Sequence, residues 1–526
     1  MKRLILPLIL LAAWLFTTHA DSMMAAPEPD PRVSHAVWTQ LHDSGEVDVI
    51  LRLPQADLSP AYTLPDKTAR GQWVVETLRQ QALATQKPLL AELDRMGLPY
   101  ESFWVVNAVR VRVDARQLDR LLRIPEVQRV TANTSFPAVG PTPEPVLTSQ
   151  AATETIPWGV LRVEAPWAWE QGITGEGVVV AAQDTGQDWT HEALKRAYRG
   201  YDPATDTANH DYNWHDAIHE LDPHNTGDNY CGLDSPEPCD DYSHGTHTMG
   251  TMVGNDLAPE EAGWPAAAEH AIGVAPGATW IGCRNMERGW GKPSTYIECF
   301  QWFVAPWPVG GDPQTDGDPA KAPDIINNSW SCPPDEGCDS ENMDIIEPAL
   351  NAADAAGILV VVSAQNDGPD CSTIKAPAAI YPRAFTVGAI DRNDNLTKFS
   401  SRGPVTYNGV TRVGPDVSAP GVFIYSSLPD QRYGKASGTS MSGPHAAGVA
   451  ALLISARPEL KGHPDQIRAE LMTLADHRTT SEGCGGDTSK SVPNNSFGWG
   501  IVNARNVLLP QRLFTPFAIY NGHQGR

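Results

Sequence analysis

Five runs of apolar, largely β-branched residues recur from residue 177 onward: GVVVAAQD (177–184), TWIGCRN (279–285), DIINNSW (324–330), ILVVVSAQND (358–367) and AFTVGAID (384–391). They do not alternate with polar residues, so each must bury both faces, which requires a sheet covered by helices on either side. Helical patterns between the runs, such as 344–356 stopped by Gly357, supply the crossovers. An α/β domain on a mostly parallel sheet is therefore expected. Reactive groups in such sheets gather at the carboxyl ends of strands, and Asp184 closes the first run.

Upstream the pattern changes. VDVILRL (47–53), a helical stretch over 68–96, VVNAVRVRV (105–113), ARQLDRLLRI (115–124) and VQRVTAN (127–133) read strand, helix, strand, helix, strand. This order suits a small α+β unit, helices on one face of an antiparallel sheet, the other face wet as Arg110 and Arg112 imply. Residues 134–155 are rich in Pro and Thr without periodicity and read as an exposed linker. The segment 202–241, rich in Asp, Asn and His, reads as a long surface insertion. No internal repeat is visible.

At the amino end, Lys2 and Arg3 precede an apolar stretch, Leu4–Phe16, and the small residues Thr18 and Ala20, the pattern of a signal peptide cleaved after Ala20. The stretch is shorter than the roughly 20 residues that span a bilayer. A secreted protein, extracellular or periplasmic, without a stable membrane anchor is expected. Export favours pairing of the eight cysteines. Proximity suggests Cys231 with Cys239, Cys283 with Cys299 and Cys332 with Cys338, and the absence of CxxC argues against structural zinc. The net charge of −24 argues against a nucleic-acid partner.

Three local features converge on one chemistry. Asp184 ends a strand in QDTGQDW, His244 opens HGTHTMGTMVG, and Ser440 lies in SGTSMSGPH (437–445), just before an apolar helix. A serine hydroxyl needs a base to become a nucleophile, and an imidazole needs a third group to fix its tautomer. The words DTG, HGTHTMG and GTSMSGPH resemble the three signatures of subtilisin-like serine peptidases. YRGYD (198–202), HDYNWHDA (210–217) and NNSW (327–330) bring the wording nearest to its bacillopeptidase F-like branch.

The resemblance implies a three-layer subtilisin-like fold over 157–510 and a ferredoxin-like propeptide domain within 21–138. A linker with a processing site (139–156) would join them, a signal (1–20) would precede, and a tail (511–526) would follow. It implies a zymogen of a secreted endopeptidase, monomeric, acting on proteins or peptides and inhibited by its own propeptide. Asp184 would orient, His244 act as general base then acid, and Ser440 attack, with Ser442 a bystander. Asn366 would supply an oxyanion donor. Ser329, Trp330 and Ser331 would form a pocket wall that pairs with substrate backbone, and Gly289, Trp290 and Gly291 the opposite side of the cleft.

Gln365 and Ser331 stand where the family usually has Gly, and Gln365 would be strained if its position needs positive φ. No cofactor is needed for the chemistry. Structural calcium is compatible with the oxygen-rich 202–241, its ligands unassigned. His247, three residues past His244, reads as packing rather than half of a metal pair, and so do His191 and His445. Asp188 reads as a turn residue, and Asp240 and Asp241 as carboxylates complementing a helix dipole. Two other classes compete with this reading. A peptide-binding protein without turnover would keep the groove, and an α/β-hydrolase would need Gly at Ser442 and a different chain order.

Overall fold

The computed structural model describes residues 30–137, 144–145, 156–225, 227, 229–255, 271–331 and 344–509. The expected signal, most of the linker, the tail and the expected Cys332–Cys338 pair lie outside the described residues.

The amino-terminal unit runs α1 (His35–Ser44), β1 (Glu46–Arg52), α2 (Lys67–Met96), β2 (Tyr100–Phe103), β3 (Ala108–Asp114), α3 (Ala115–Leu121) and β4 (Arg129–Ala132). Its sheet has the order β2-β3-β1-β4 with every pair antiparallel, the ferredoxin-like arrangement. Alternation along the strands sorts the side chains: Val47, Val49, Leu51, Val109, Val111 and Val113 meet Leu89, Leu93, Leu118 and Leu121 in one core. Helix α2 starts on Asp66, whose side chain caps Ala69 N–H at 2.9 Å, and stops at left-handed Gly97.

The opposite sheet face is wet only in part. Arg110 pairs there with Asp48 (2.7 Å), Glu101 (3.0 Å) and Glu220 (2.5 Å), the last belonging to the larger domain, while Arg112 is exposed as expected. Helix α1 and strand β2 add to the expected order, and residues 104–107 turn instead of continuing the strand. The N–H groups of Trp104 and Val105 donate there to Gln301 Oε1 at 2.8 and 3.1 Å. Ile50, Val74, Leu78 and Phe103 share one core with the larger domain. Arg70, in the first half of α2, donates to the carbonyls of Ala355 and Asp354 (both 2.9 Å) and of Gly462.

Two short strands follow, β5 (Phe136–Pro137) and β6 (Glu144–Pro145), and then the elements of the larger domain. Those that build the central sheet, its covering helices and the site are β7 (Val179–Asp184), β8 (Trp214–Asp216), α4 (His244–Val253), β9 (Thr279–Arg284), β10 (Trp290–Gly291), α5 (Pro293–Val304), β11 (Ile325–Asn328), α6 (Ile346–Ala355), β12 (Leu359–Ser363), β13 (Phe385–Ile390), β14 (Val417–Pro420), β15 (Ile424–Leu428), β16 (Arg432–Ala436) and α7 (Thr439–Ala456).

The central sheet has seven strands, β8-β9-β7-β11-β12-β13-β14, all parallel. Val180, Ala182, Ile325, Leu359 and Val361 point into the core under α4 and α7, whereas Ala181, Ile326, Val360 and Val362 point into the core under α5 and α6. Both faces are covered, which is why the strands read as continuous apolar runs.

The segment 202–241 is more than a surface insertion, because it contributes the edge strand β8 and the buried carboxylates of Asp216, Asp222, Asp240 and Asp241. Asp216 and Asp241 both pair with Arg284, at 3.0 and 2.5 Å. Disulfides join Cys231 to Cys239 and Cys283 to Cys299, as proximity suggested. A third joins Cys371 to Cys484 across 113 residues, beyond the reach of proximity. Closing so long a loop restricts the unfolded chain, so a Cys371→Ser/Cys484→Ser variant is expected to lose about 4–5 kcal/mol by urea unfolding. A loss below about 1 kcal/mol would show that the bridge constrains nothing the fold does not already hold.

Candidate active site

Asp184 closes β7, fully buried. Its Oδ1 accepts the N–H of Thr185 (2.8 Å) and lies 2.8 Å from Nδ1 of His244, the first residue of α4. That contact requires the start of α4 to press against the turn after β7. A Cβ on Gly245 would come within 2.0 Å of Gly186 O, and one on Gly186 within 1.7 Å of Cys239 O. Only glycine fits either position.

Asp240 locks the same junction. Its buried carboxylate accepts from Thr185 Oγ1 (2.8 Å), the N–H groups of Tyr242 (3.0 Å), Ser243 (2.8 Å) and Thr246 (2.8 Å), and Thr246 Oγ1 (2.6 Å). The residue was expected only to complement the helix dipole. It does meet the helix start, but it also ties β7 to α4 and so sets where His244 stands. The spacing D-D-Y-S-H before a helix was the available signal, and nothing in it pointed to Thr185.

Ser440 sits in the first turn of α7, 9% exposed, and its Oγ donates to Ser329 O at 2.8 Å. Ser329 Oγ in turn donates to Ser440 O (2.9 Å) and accepts from Asn327 Nδ2 (2.8 Å). Asn327 pairs with Ala182 across β11 and β7, so Ser329 stands level with Asp184 one strand away. Neighbouring strands are about 4.8 Å apart, which brings the serine to the same edge of the sheet as the Asp184–His244 pair. The hydroxyl is turned to Ser329 rather than to the imidazole. A Cβ on Gly443 would lie 2.9 Å from Asn327 Oδ1, which accounts for part of the small-residue run. Ser442 Oγ donates to Ala419 O, away from this network.

Asn366 follows β12, the next strand. Its Oδ1 accepts from Thr439 N–H (2.9 Å) and Thr439 Oγ1 (3.1 Å). A backbone N–H is an unambiguous donor, so the amide orientation is determined and Nδ2 is the group left facing the α7 entrance. Gln365 has φ +77°, the left-handed conformation that costs a non-glycine residue of order 1–3 kcal/mol.

The cleft edge is occupied by the chain itself. Phe136 and Pro137 (β5) pair antiparallel with Gly291 and Trp290 (β10). Phe136 stacks on Tyr296 with ring centres 5.6 Å apart, and Tyr296 meets Trp330 at 4.1 Å. Gly291 is needed here, since a Cβ would come within 2.4 Å of Tyr296 Oη. Gly289 turns the chain with φ +85°, and Ser331 is partly exposed beside Trp330. Past the other side of Ser440, Glu144 and Pro145 (β6) pair with Lys435 and Gly434 of β16, the strand that leads into α7. Tyr296 does not stand out in the sequence, because an aromatic in an apolar helix reads as core.

The remaining histidines are held elsewhere. His247 Nε2 meets Ile424 O (2.9 Å), His445 Nδ1 meets Met441 O (2.8 Å), and His191 Nε2 meets Arg432 O (2.9 Å). Asp188 accepts from Thr190 N–H and Asp430 N–H, both at 3.0 Å, in a turn. Among the described residues no group of three or more His, Cys, Asp or Glu is arranged to hold a metal.

Burial lowers the affinity of His244 for a proton, but the Asp184 carboxylate outweighs it, so the imidazole pKa lies above its ordinary 6.5. Burial above all pushes His247 down to about 3, with the His244 and His445 imidazoles adding to it, and burial pushes His445 down to about 4. A raised folded pKa stabilises the protein fully below about 6.5, and this contribution is lost as pH rises through the raised value. NMR titration of the ring protons should find His244 titrating above 6.5, with His247 and His445 neutral from pH 5 to 8. An Asp184→Asn substitution should bring His244 below 6.5.

The subtilase family model matches residues 175–500. The chain is 35% identical over 448 residues to Bacillopeptidase F of Bacillus subtilis (strain 168), covering 82% of this chain but only 28% of that longer protein. It is 27% identical over 389 residues to Subtilisin E of the same organism, covering 73% of this chain and 79% of the relative. To the M-protease of Shouchella clausii (strain KSM-K16) it is 30% identical over 355 residues, covering 67% and 69%. With the parallel sheet, the Asp184–His244 contact and a serine at the head of α7, these matches settle the kinship: the chain belongs to the subtilase family of serine peptidases.

Proposed function

We propose that the protein is a secreted serine endopeptidase made as an autoprocessed zymogen, with Ser440 as nucleophile, His244 as general base and Asp184 as its orienting partner. The observation that carries this reading is the 2.8 Å contact between His244 Nδ1 and Asp184 Oδ1. It assigns the proton to Nδ1 and leaves Nε2 unprotonated to accept the serine proton.

Ser440 Oγ attacks the scissile carbonyl carbon as its proton passes to His244 Nε2. The carbonyl oxygen becomes an oxyanion held by the Ser440 N–H, at the positive end of α7, and by Asn366 Nδ2. Collapse breaks the C–N bond, and the imidazolium gives its proton to the leaving amine. Water then repeats the sequence on the acyl-enzyme and frees Ser440. Asp184 stays ionised and stabilises the imidazolium. Ser329, Trp330, Ser331, Gly289 and Gly291 border the substrate.

The amino-terminal unit is read as the propeptide, an inhibitor that lays β5 along β10 as substrate would lie. Processing falls within the linker 139–156. The pairing of β5 with β10 and of β6 with β16 supports this, because the chain leaves one rim of the cleft and is next found on the other.

Two experiments test the reading. Wild type should shorten on maturation and be labelled by a fluorophosphonate, while Ser440→Ala should stay full length and unlabelled. A Ser440→Ala protein that matures to wild-type size would refute self-processing, and an unlabelled wild type would refute the triad. Peptides with an aromatic residue where Phe136 lies, against Tyr296 and Trp330, should be cut with higher kcat/KM than alanine counterparts. Trp330→Ala should narrow that difference.

A further inference from the structure

We propose that Gln365 is a positioning residue for the oxyanion donor Asn366, an inference that rests on the peptidase reading above. Gln365 carries two liabilities that glycine would lack: a left-handed backbone at φ +77° and a buried Nε2 with no hydrogen-bond partner among the described residues. A position selected only for stability would avoid both. What the side chain gains is a clamp. Its Oε1 accepts the consecutive N–H groups of Lys375 and Ala376 at 3.0 and 3.1 Å.

The backbone around it is stapled as well. Gln365 O accepts from Ser401 N–H (3.1 Å), and Ser401 Oγ accepts from Asp367 N–H (3.0 Å). Residues 365–367 are thus fastened to two separate segments, 375–376 and 401, while Asn366 Oδ1 is fastened to Thr439, next to the nucleophile. The left-handed turn at 365 sends the chain back so that Asn366 reaches α7. Among the described residues, the side chain of Gln365 holds the turn from the far side through Oε1 alone. Removing that contact while keeping a side chain leaves the strain in place and takes away the tether to 375–376, so that only the backbone staples to Ser401 oppose it. The turn then relaxes, and Nδ2 moves off the oxyanion position. The group acts through Asn366 and touches no reacting atom.

A double-mutant cycle separates this role from simple packing. Gln365→Met keeps the volume and loses the acceptor. It is expected to lower kcat about 10- to 100-fold with KM within about 2-fold, because a misplaced donor weakens transition-state binding more than substrate binding. In an Asn366→Ala background the same substitution is expected to cost less than about 2-fold, since there is no donor left to position. Gln365→Gly adopts positive φ without strain. With neither strain nor clamp it should melt no lower than wild type and lose less kcat than Gln365→Met, because nothing then drives the turn to relax, and Gln365→Leu carries the same cycle if the Met variant does not accumulate.

Unchanged kcat in Gln365→Met, or losses that multiply fully with Asn366→Ala, would overturn the inference while leaving the peptidase reading intact. A wild-type chain that neither cleaves peptides nor takes the fluorophosphonate label would instead overturn the peptidase reading first.

Discussion

Two carboxylates, those of Asp184 and Asp240, are taken almost wholly out of water where the turn after β7 meets the start of α4, and the arrangement of the site follows from how they are satisfied. A buried charge without partners is prohibitive, so every donor around it has to be delivered by the fold. Asp184 receives Thr185 N–H and His244, and Asp240 receives five donors from Thr185, Tyr242, Ser243 and Thr246. Those donors come from the turn after β7 and the start of α4, so satisfying the two acids and docking the helix are one event. Glycines 186 and 245 make it sterically feasible. A network of this kind tolerates little partial occupancy, which suits a group that must present one tautomer.

The same logic links the amino-terminal unit to the larger domain. Its helix α2 is split in function along its length: Leu89 and Leu93 belong to the unit's own core, and Val74 and Leu78 to the shared one. Arg70 meets the last carbonyls of α6, and Gln301 on α5 satisfies two turn amides of the unit. Each half supplies partners for exposed backbone of the other. Strands β10 and β16, whose edges would otherwise be open, are both covered by the chain's own extended segments. The unit is thus held by core, charge and edge pairing at once.

Much of this is legible in the residues, and the failures have identifiable causes. The parallel sheet is readable because an unbroken apolar run of strand length has to bury both of its faces, and the triad order because each member sits in a distinctive word. Arg110 is the counterexample: alternation correctly gives its face, but only the docking of Glu220 makes that face an interface. Strand β8 is hidden in a polar segment, since an edge strand of three residues leaves almost no periodicity. The Cys371–Cys484 bridge and the bond from Thr185 to Asp240 join positions distant in the chain, which local pattern cannot report. The strain suspected at Gln365 is a correct local inference about φ, but the clamp that holds it is invisible in the chain order.

By itself the sequence determined which segments become strands and helices, which glycines relieve close approach, and which residue types are available for acid–base and nucleophilic work, because these depend on periodicity and side-chain chemistry within a few residues. Only the tertiary structure decided that Asp184 touches His244, that Ser440 rests on Ser329, and that Phe136 lies against Tyr296. Those contacts are distances between segments far apart along the chain. Burial and hydrogen-bond satisfaction set such distances, and they are properties of the folded whole.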